Sequence, residues 1–246
     1  MKRSITDIHM HIIPGVDDGA IDFNMSLEMV EEAYKQGVRN IFCTSHNVYE
    51  KEDIERYKSK FFMLKKMSES LYHDLNLFMG CELLCAGEYM EDILYGLEVG
   101  VFLPLGDSKF VLTELYPDAT PQEAELIVES MIGAGWKPIL AHVERYPALF
   151  EGQTLQELIN LGAMIQVNLY SLEEEINESV KERARHLVNN RLAHFVGSDS
   201  HRTNYRPPEY ETGIRYLEEH CEKDYCKRIC SVNAERLLIG SVKKQI

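Results

Sequence analysis

The chain contains no run of 18 apolar residues, no cysteine pair at C-x2-C spacing, no Pro/Gly/Ser-rich linker and no basic stripe longer than two residues. The first absence excludes a spanning helix, which needs about 20 predominantly apolar residues. The opening Met1-Lys-Arg-Ser-Ile-Thr-Asp-Ile-His9 is basic but has no apolar core, so it does not read as a secretory signal. A soluble, cytoplasmic protein is the expectation, with no membrane insertion. The six cysteines (Cys43, Cys81, Cys85, Cys221, Cys226 and Cys230) then read as reduced thiols. The trio Cys221, Cys226 and Cys230 lacks the zinc-knuckle spacing and falls in a helical pattern. Lys and Arg number 26 against 40 Asp and Glu, a net charge of −14, which excludes a nucleic-acid footprint. That acidic excess serves solubility and can be neutralised in part by bound cations. Without a linker, 246 residues at 45% hydrophobic are expected to form one domain, 1–246.

What is present is an alternation of β-rich runs with amphipathic stretches. Strands are expected over 4–11, 38–46, 76–84, 110–115, 138–142, 163–169 and 193–197. Helices are expected over 22–36, ending at Gly37, then 52–73, 88–97, 121–134, 155–161, 174–189, 208–220 and 224–238. The 121–134 segment has Pro at its start and Gly133 and Gly135 at its end. Seven strand–helix repeats imply parallel strands and a distorted (β/α)7 barrel, similar to a TIM barrel. In such a barrel chemistry gathers where strands end and loops begin.

The strand ends carry a consistent chemistry. The first ends in His9 and His11, with Asp17 and Asp18 in the following loop. The second ends at His46, the third at Glu82, the fourth at Glu114, the fifth at His142, and the seventh at Asp199 and His201. Each alone is weak evidence, since a lone histidine at a strand end is ordinarily a hydrogen-bonded core or loop residue. Repetition at equivalent positions changes the reading. Residues i and i+2 of a strand face the same side, so His9 projects with His11 and Asp199 with His201. Four or more imidazoles and four carboxylates at one barrel mouth repel one another unless cations sit among them. Nitrogen and carboxylate donors without cysteine point to Mn, Fe or Zn.

These residues sit in stretches that resemble the polymerase and histidinol phosphatase (PHP) superfamily, and within it the CpsB/YwqE-type bacterial tyrosine-protein phosphatases. The stretches are Asp7-Ile-His-Met-His-Ile-Ile-Pro-Gly-Val-Asp-Asp-Gly19, Gly80-Cys-Glu-Leu-Leu84, His142-Val-Glu-Arg-Tyr-Pro147, Gln166-Val-Asn168 and Gly197-Ser-Asp-Ser-His201. Pro14-Gly-Val-Asp-Asp-Gly19 is the most specific of them. The resemblance implies the PHP fold and a three-metal site, usually described with Mn2+. One ion would be held by His9, His11, Glu82 and Asp199. A second would share Glu82 and use Glu114 and His142, and a third would use Asp18, His46 and His201. It also implies that Arg145, three residues beyond His142, and Arg206, in the loop after His201, hold the phosphate. The implied substrate is a phosphotyrosine protein, with a bacterial tyrosine kinase of the polysaccharide-export machinery as partner. Asp17 or His201 would assist the leaving group. The sequence sets no oligomeric state.

Two positions depart from the family pattern. Thr44-Ser-His-Asn47 stands where relatives often have Thr-Pro-His-His. Leu169 stands where small residues are common, followed by the acidic Glu173, Glu174 and Glu175. Both bear on substrate preference rather than on the metal ligands. Among rival readings, a histidinol-phosphate or other small-molecule phosphatase shares the fold, but Glu114 and Asp18 in place of histidines lean toward the tyrosine phosphatase branch. A metal-dependent amidohydrolase needs a bridging lysine at a strand end, and none is found. A non-enzymatic relative would be expected to have lost ligands. Cys230-Ser-Val-Asn-Ala-Glu-Arg236 matches the Cys-x5-Arg of thiol phosphatases only formally. It lacks glycines for an N–H nest and puts Glu235 beside the would-be anion.

Overall fold

A computed structural model describes residues 4–46, 51–173 and 176–242; Asn47, Glu174 and Glu175, singled out above, lie outside the described residues. Eight strands are assigned: β1 (Ile5–Met10), β2 (Val38–Cys43), β3 (Asn76–Met79), β4 (Glu82–Cys85), β5 (Phe110–Leu115), β6 (Lys137–Leu140), β7 (Met164–Asn168) and β8 (Phe195–Gly197). They form two all-parallel arcs, β1-β2-β3 and β4-β5-β6-β7-β8. The expected 76–84 strand is therefore two strands, broken at Gly80 and Cys81. The cause is the loop before β5. Gly106 N–H bonds to the Met79 carbonyl at 2.7 Å, and Leu105 packs so closely on Gly80 that a Cβ there would come within 2.8 Å of its side chain. With that flank of β3 occupied, only β4 pairs with β5.

The arcs close into a barrel at two seams. A parallel bridge joins His46 to Glu82, and another joins Met10 to Ser200. The Met10–Ser200 seam is tied further by Asp199 N–H to the His9 carbonyl at 2.8 Å and His11 N–H to the Ser200 carbonyl at 2.9 Å. Beneath it lies Asp7, which is buried and accepts bonds from His9 N, Ser198 N, Ser198 Oγ and Tyr210 Oη. Burial pushes the Asp7 carboxyl up, and these four donors oppose the shift. With β3 and β4 counted as one broken strand, the architecture is the distorted (β/α)7 barrel that the repeats imply.

Nine helices are assigned among the described residues: α1 (Phe23–Lys35), α2 (Lys51–Leu71), α3 (Met90–Val99), α4 (Pro121–Gly133), α5 (Thr154–Leu161), α6 (Glu178–Asn189), α7 (Glu211–His220), α8 (Lys223–Cys230) and α9 (Glu235–Val242). Side chains of Asp22, Thr120 and Asn177 accept N–H bonds at the starts of α1, α4 and α6, as polar caps should. The Asn177 cap is why α6 starts later than the expected 174. The expected 224–238 helix is divided by a 3-10 turn at Val232–Ala234 into α8 and α9. Cys230 and Arg236 thus sit on two helices, with no phosphate-cradling loop between them. None of the described helices is long and apolar enough to cross a membrane.

The interior is filled below the mouth. Ile8, Phe42, Leu112, Ile139 and Phe195, from five strands, cluster with Leu237 of α9. β1 carries one extra residue against β2 between Asp7 and Met10. This bulge lets Ile8 join the inner cluster while the next residue, His9, still reaches the mouth. On the outside, α2 is strapped to the broken seam by Tyr57, whose buried hydroxyl lies 2.7 Å from the carbonyl oxygens of both Cys43 and Gly80. Tyr57→Phe leaves the Gly80 carbonyl without this donor, and a loss of about 1–2 kcal/mol is expected. Urea unfolding checks this, and an unchanged midpoint would show that the strap contributes nothing.

Candidate metal centre

All nine expected ligands stand at the mouth, and their donor atoms overlap in four groups. These are His11, Asp18, His46 and His201; His9, His11 and Asp199; His9, Glu82 and His142; and His46, Glu82 and Glu114, each with donor atoms within 4.8 Å of one another. This partition differs from the sets implied by resemblance, because His9, His11 and His46, besides Glu82, each belong to two groups. Glu82 lies at the middle. Its Oε2 is 3.2 Å from His9 Nε2, 3.1 Å from His11 Nε2 and 3.3 Å from His46 Nδ1, and its Oε1 is 2.8 Å from His142 Nε2.

The donor chemistry fits divalent cations. His9 Nε2 and His11 Nε2 face each other at 3.1 Å. Their Nδ1 atoms turn to other partners: His9 to Gln166 Oε1 at 3.3 Å and His11 to Asp17 Oδ2 at 2.8 Å. An N–H on the Nδ1 side leaves two Nε2 lone pairs directed at one point, a repulsive contact unless a proton or cation lies there. Burial lowers His9 and His11, yet the charges and hydrogen bonds of Glu82, Asp199 and Asp17 outweigh it and raise both. Burial and the Glu82 charge push Glu114 up to about 8. Burial also opposes ionisation of Glu82 and Asp199, but the imidazoles, with Arg145 at Asp199, hold both carboxyls down. Burial together with Arg145 takes His142 down to about 4, and burial together with His11 and Arg206 takes His201 down to about 4. Without cations, protons on a few members of the cluster do the neutralising.

The backbone bends to deliver these groups. His142, Asp199 and Arg206 have φ of 33°, 53° and 51°, in the left-handed region that non-glycine residues seldom occupy. The loop after β1 folds back so tightly that a Cβ on Gly19 would meet the His11 carbonyl oxygen at 2.2 Å, so only glycine fits there. Its Asp17 does not stand as the expected proton donor. Oδ2 contacts His11 Nδ1 and accepts from His46 N, and Oδ1 accepts from Gly19 N. Burial would raise this carboxyl, but His11 and the two backbone donors bring it down to about 2. Its geometry is that of a group orienting His11.

Both arginines reach the mouth. Arg145 Nη2 donates to Asp199 Oδ2 at 2.7 Å and also bonds to Tyr170 Oη. Arg206 Nη2 bonds to the same Asp199 oxygen, and its Nη1 is 3.1 Å from His201 Nε2. Arg206 Nε is buried with no hydrogen-bond partner among the described residues. Sequence reasoning gave no role to Gln166, Asn168, Tyr146 or Tyr170. Gln166 Oε1 accepts from His142 N at 2.8 Å as well as facing His9, and Asn168 Nδ2 donates to Asp199 Oδ2 at 2.9 Å. Tyr146 Oη lies 3.3 Å from His142 Nδ1. The i, i+2 pair Gln166 and Asn168 at a strand end was the available signal. Leu169, the departure noted above, is buried against α7, outside the ligand cluster.

The profile of the family described as capsular polysaccharide synthesis, CpsB/CapC, matches residues 5–239. The tyrosine-protein phosphatase CpsB of Streptococcus agalactiae is 31% identical over 241 residues, 94% of this chain and 97% of that protein. Crystal structures of YwqE from Bacillus subtilis and CpsB from Streptococcus pneumoniae, described as metal-dependent tyrosine phosphatases, include a chain that aligns at a TM-score of 0.83 with 30% identity. The match covers 96% of this chain and 95% of that one. A phosphotriesterase from Mycobacterium tuberculosis aligns at a TM-score of 0.56 with 10% identity, covering 97% and 94% of the two chains, a likeness of fold alone.

The shifts at the mouth set an expectation for cation-free protein. Groups raised in the fold (His9, His11 and Glu114) stabilise below their unfolded values, and that contribution is lost as pH rises through the folded ones. His142 and His201, being lowered, have completed their change by about pH 7. Chelated protein is therefore expected to lose thermal stability from about pH 7 to about pH 9. A divalent cation should restore it, because metals take the deprotonated ligands. Thermal unfolding of stripped and reloaded protein checks this; a flat profile in both forms would contradict it.

Proposed function

The chain belongs to the CpsB/CapC family of capsular polysaccharide synthesis, and from that premise we propose that it is a metal-dependent protein-tyrosine phosphatase acting at the barrel mouth. The observation that carries the reading is Asp199. Its Oδ1 lies 3.5 Å from both His9 Nε2 and His11 Nε2, while its Oδ2 takes both arginines. Cation-seeking donors and anion-seeking guanidinium groups thus meet across one carboxylate, as a site for a phosphate dianion between cations and arginines requires.

The residues that would hold the ions are His9, His11, Asp18, His46, Glu82, Glu114, His142, Asp199 and His201. Three Mn2+ ions are the proposed complement, with Fe or Zn as alternatives of the same donor preference. When bound, such ions supply Lewis-acid charge that neutralises phosphoryl oxygens and acidifies water. Arg145 and Arg206 bind the equatorial phosphoryl oxygens, with bonds that strengthen as charge spreads in the transition state. Asp17 keeps His11 in the tautomer that points Nε2 inward, and Gln166 does the same for His9.

Leaving-group chemistry supports an aryl ester. Asp17 is taken up by His11 Nδ1 and by the N–H groups of Gly19 and His46, and His201 stands among the proposed ion ligands, so neither expected acid is free to serve the leaving group. A phenolate, whose conjugate acid has a pKa of about 10, departs with the least help from a general acid. Tyr89, Tyr116 and Tyr205, exposed on the loops after β4, β5 and β8, offer aromatic surface on the same rim. The proposed physiological substrate is a phosphotyrosine protein, a bacterial tyrosine kinase of polysaccharide synthesis, met in the cytoplasm by the whole chain, 1–246, as one domain.

Metal-reconstituted protein is expected to turn over a phosphotyrosine peptide in preference to a phosphoserine peptide and to histidinol phosphate. A preference for histidinol phosphate would overturn the tyrosine reading. His9→Ala and Asp199→Ala are each expected to lower kcat/KM by about a hundredfold or more. Full activity in both variants would remove the metal mechanism itself.

A further inference from the structure

We infer that Tyr170 is a positioning residue that aims Arg145 at the phosphate, an inference that rests on the phosphate-binding role proposed for that arginine. Tyr170 lies on the 3-10 turn Leu169–Leu172 just past β7 and is half-buried at the mouth. Its hydroxyl bonds to Arg145 Nη2 and lies 3.4 Å from Asn168 Nδ2. Its ring centroid is 5.8 Å from the Arg145 guanidinium carbon and 6.0 Å from that of Arg206. One phenol therefore touches the first arginine at its oxygen and lies beside both with its ring.

Arg145 has one other side-chain partner described, Asp199. That carboxylate is shared among Arg145, Arg206 and Asn168, and it also faces His9 and His11. A cation drawing on Asp199 weakens its hold on the guanidinium. Tyr170 differs because it is neutral: it holds Arg145 without competing for a cation and without cancelling the positive charge that an anion needs. A phenol orients; a carboxylate in its place would orient and neutralise together.

The turn bearing Tyr170 is fixed from both sides. Asn168 N donates to Glu144 Oε1 at 3.0 Å, Arg183 Nε donates to the Glu144 carbonyl at 2.6 Å, and Arg185 Nη2 donates to the Leu172 carbonyl at 2.9 Å. From the other side α7 packs directly on the turn, since a Cβ on Gly213 would come within 2.5 Å of the Leu169 carbonyl oxygen. Leu169, Ser171 and Leu172 are buried. Tyr170 is thus the partly exposed member of a rigid turn, the arrangement that an orienting side chain needs.

The test is a double-mutant cycle on the metal-loaded enzyme, read as KM and kcat for an aryl phosphate and as the inhibition constant of inorganic phosphate. Tyr170→Phe keeps the ring and removes the oxygen. It is expected to raise KM and the phosphate inhibition constant about tenfold, the scale of one hydrogen bond to a charged group, and to lower kcat as well, because the aimed guanidinium holds the transition state more strongly than the ground state. Arg145→Ala is expected to raise both constants at least as much, and Arg145→Ala with Tyr170→Phe should be no worse than Arg145→Ala alone. If Arg145→Ala leaves phosphate binding unchanged, the arginine reading fails and this inference falls with it. If Arg145→Ala weakens phosphate binding but Tyr170→Phe behaves as wild type, or the two losses multiply, only the role of Tyr170 is overturned.

Discussion

The mouth of this barrel is organised by the repulsion among ionisable groups brought together there, the central ones buried from solvent. Glu82 and Asp199 are buried carboxylates, and His9, His11 and His142 are buried imidazoles around them. Out of contact with solvent, each charge costs several kcal/mol unless it is paired. The observed arrangement spends every available partner on that pairing: His142 and His46 against Glu82, two arginines and an amide against Asp199, and Asp17 behind His11. A site so dependent on mutual compensation is poised to exchange protons for cations, which couples its affinity for metal to its protonation.

That electrostatic demand is met by a scaffold whose rigidity comes from elsewhere. The Asp7 network ties β1 to β8 and to Tyr210 just ahead of α7, and Tyr57 ties α2 to the break between β3 and β4. The apolar cluster from Ile8 to Phe195 fills the barrel below the ligands. Left-handed backbone at His142, Asp199 and Arg206 is a local cost that this surrounding packing supports. Stability and function are thus divided by height along the barrel: apolar and closed below, ionic at the strand ends above.

Much of the fold was legible because barrel strands and their covering helices have strong periods. The alternation of runs, Asp22 and Thr120 at helix starts, and a histidine or acid at successive strand ends all follow from local sequence. The errors have local causes as well. Nothing in residues 76–84 announces a break, because the break is imposed by Leu105 and Gly106, further along the chain. The single helix expected over 224–238 is interrupted at Ser231, for which the structure offers no separate explanation. Asp17 was legible as a site residue but not as an orienting one, since its role depends on the direction of the His11 ring.

The sequence alone determined which donor types stand at which strand ends, because residue identity and a period of two fix the face on which a side chain emerges. Tertiary structure decided which atoms meet. Barrel closure sets Asp199, just past the last strand, against His9 and His11 at the end of the first. It sets Tyr170 beside Arg145, and it gives His9 and His11 one shared group of donors and one further group each. Those contacts span long separations along the chain, and no local pattern encodes them. They exist because the two arcs of strands close on each other.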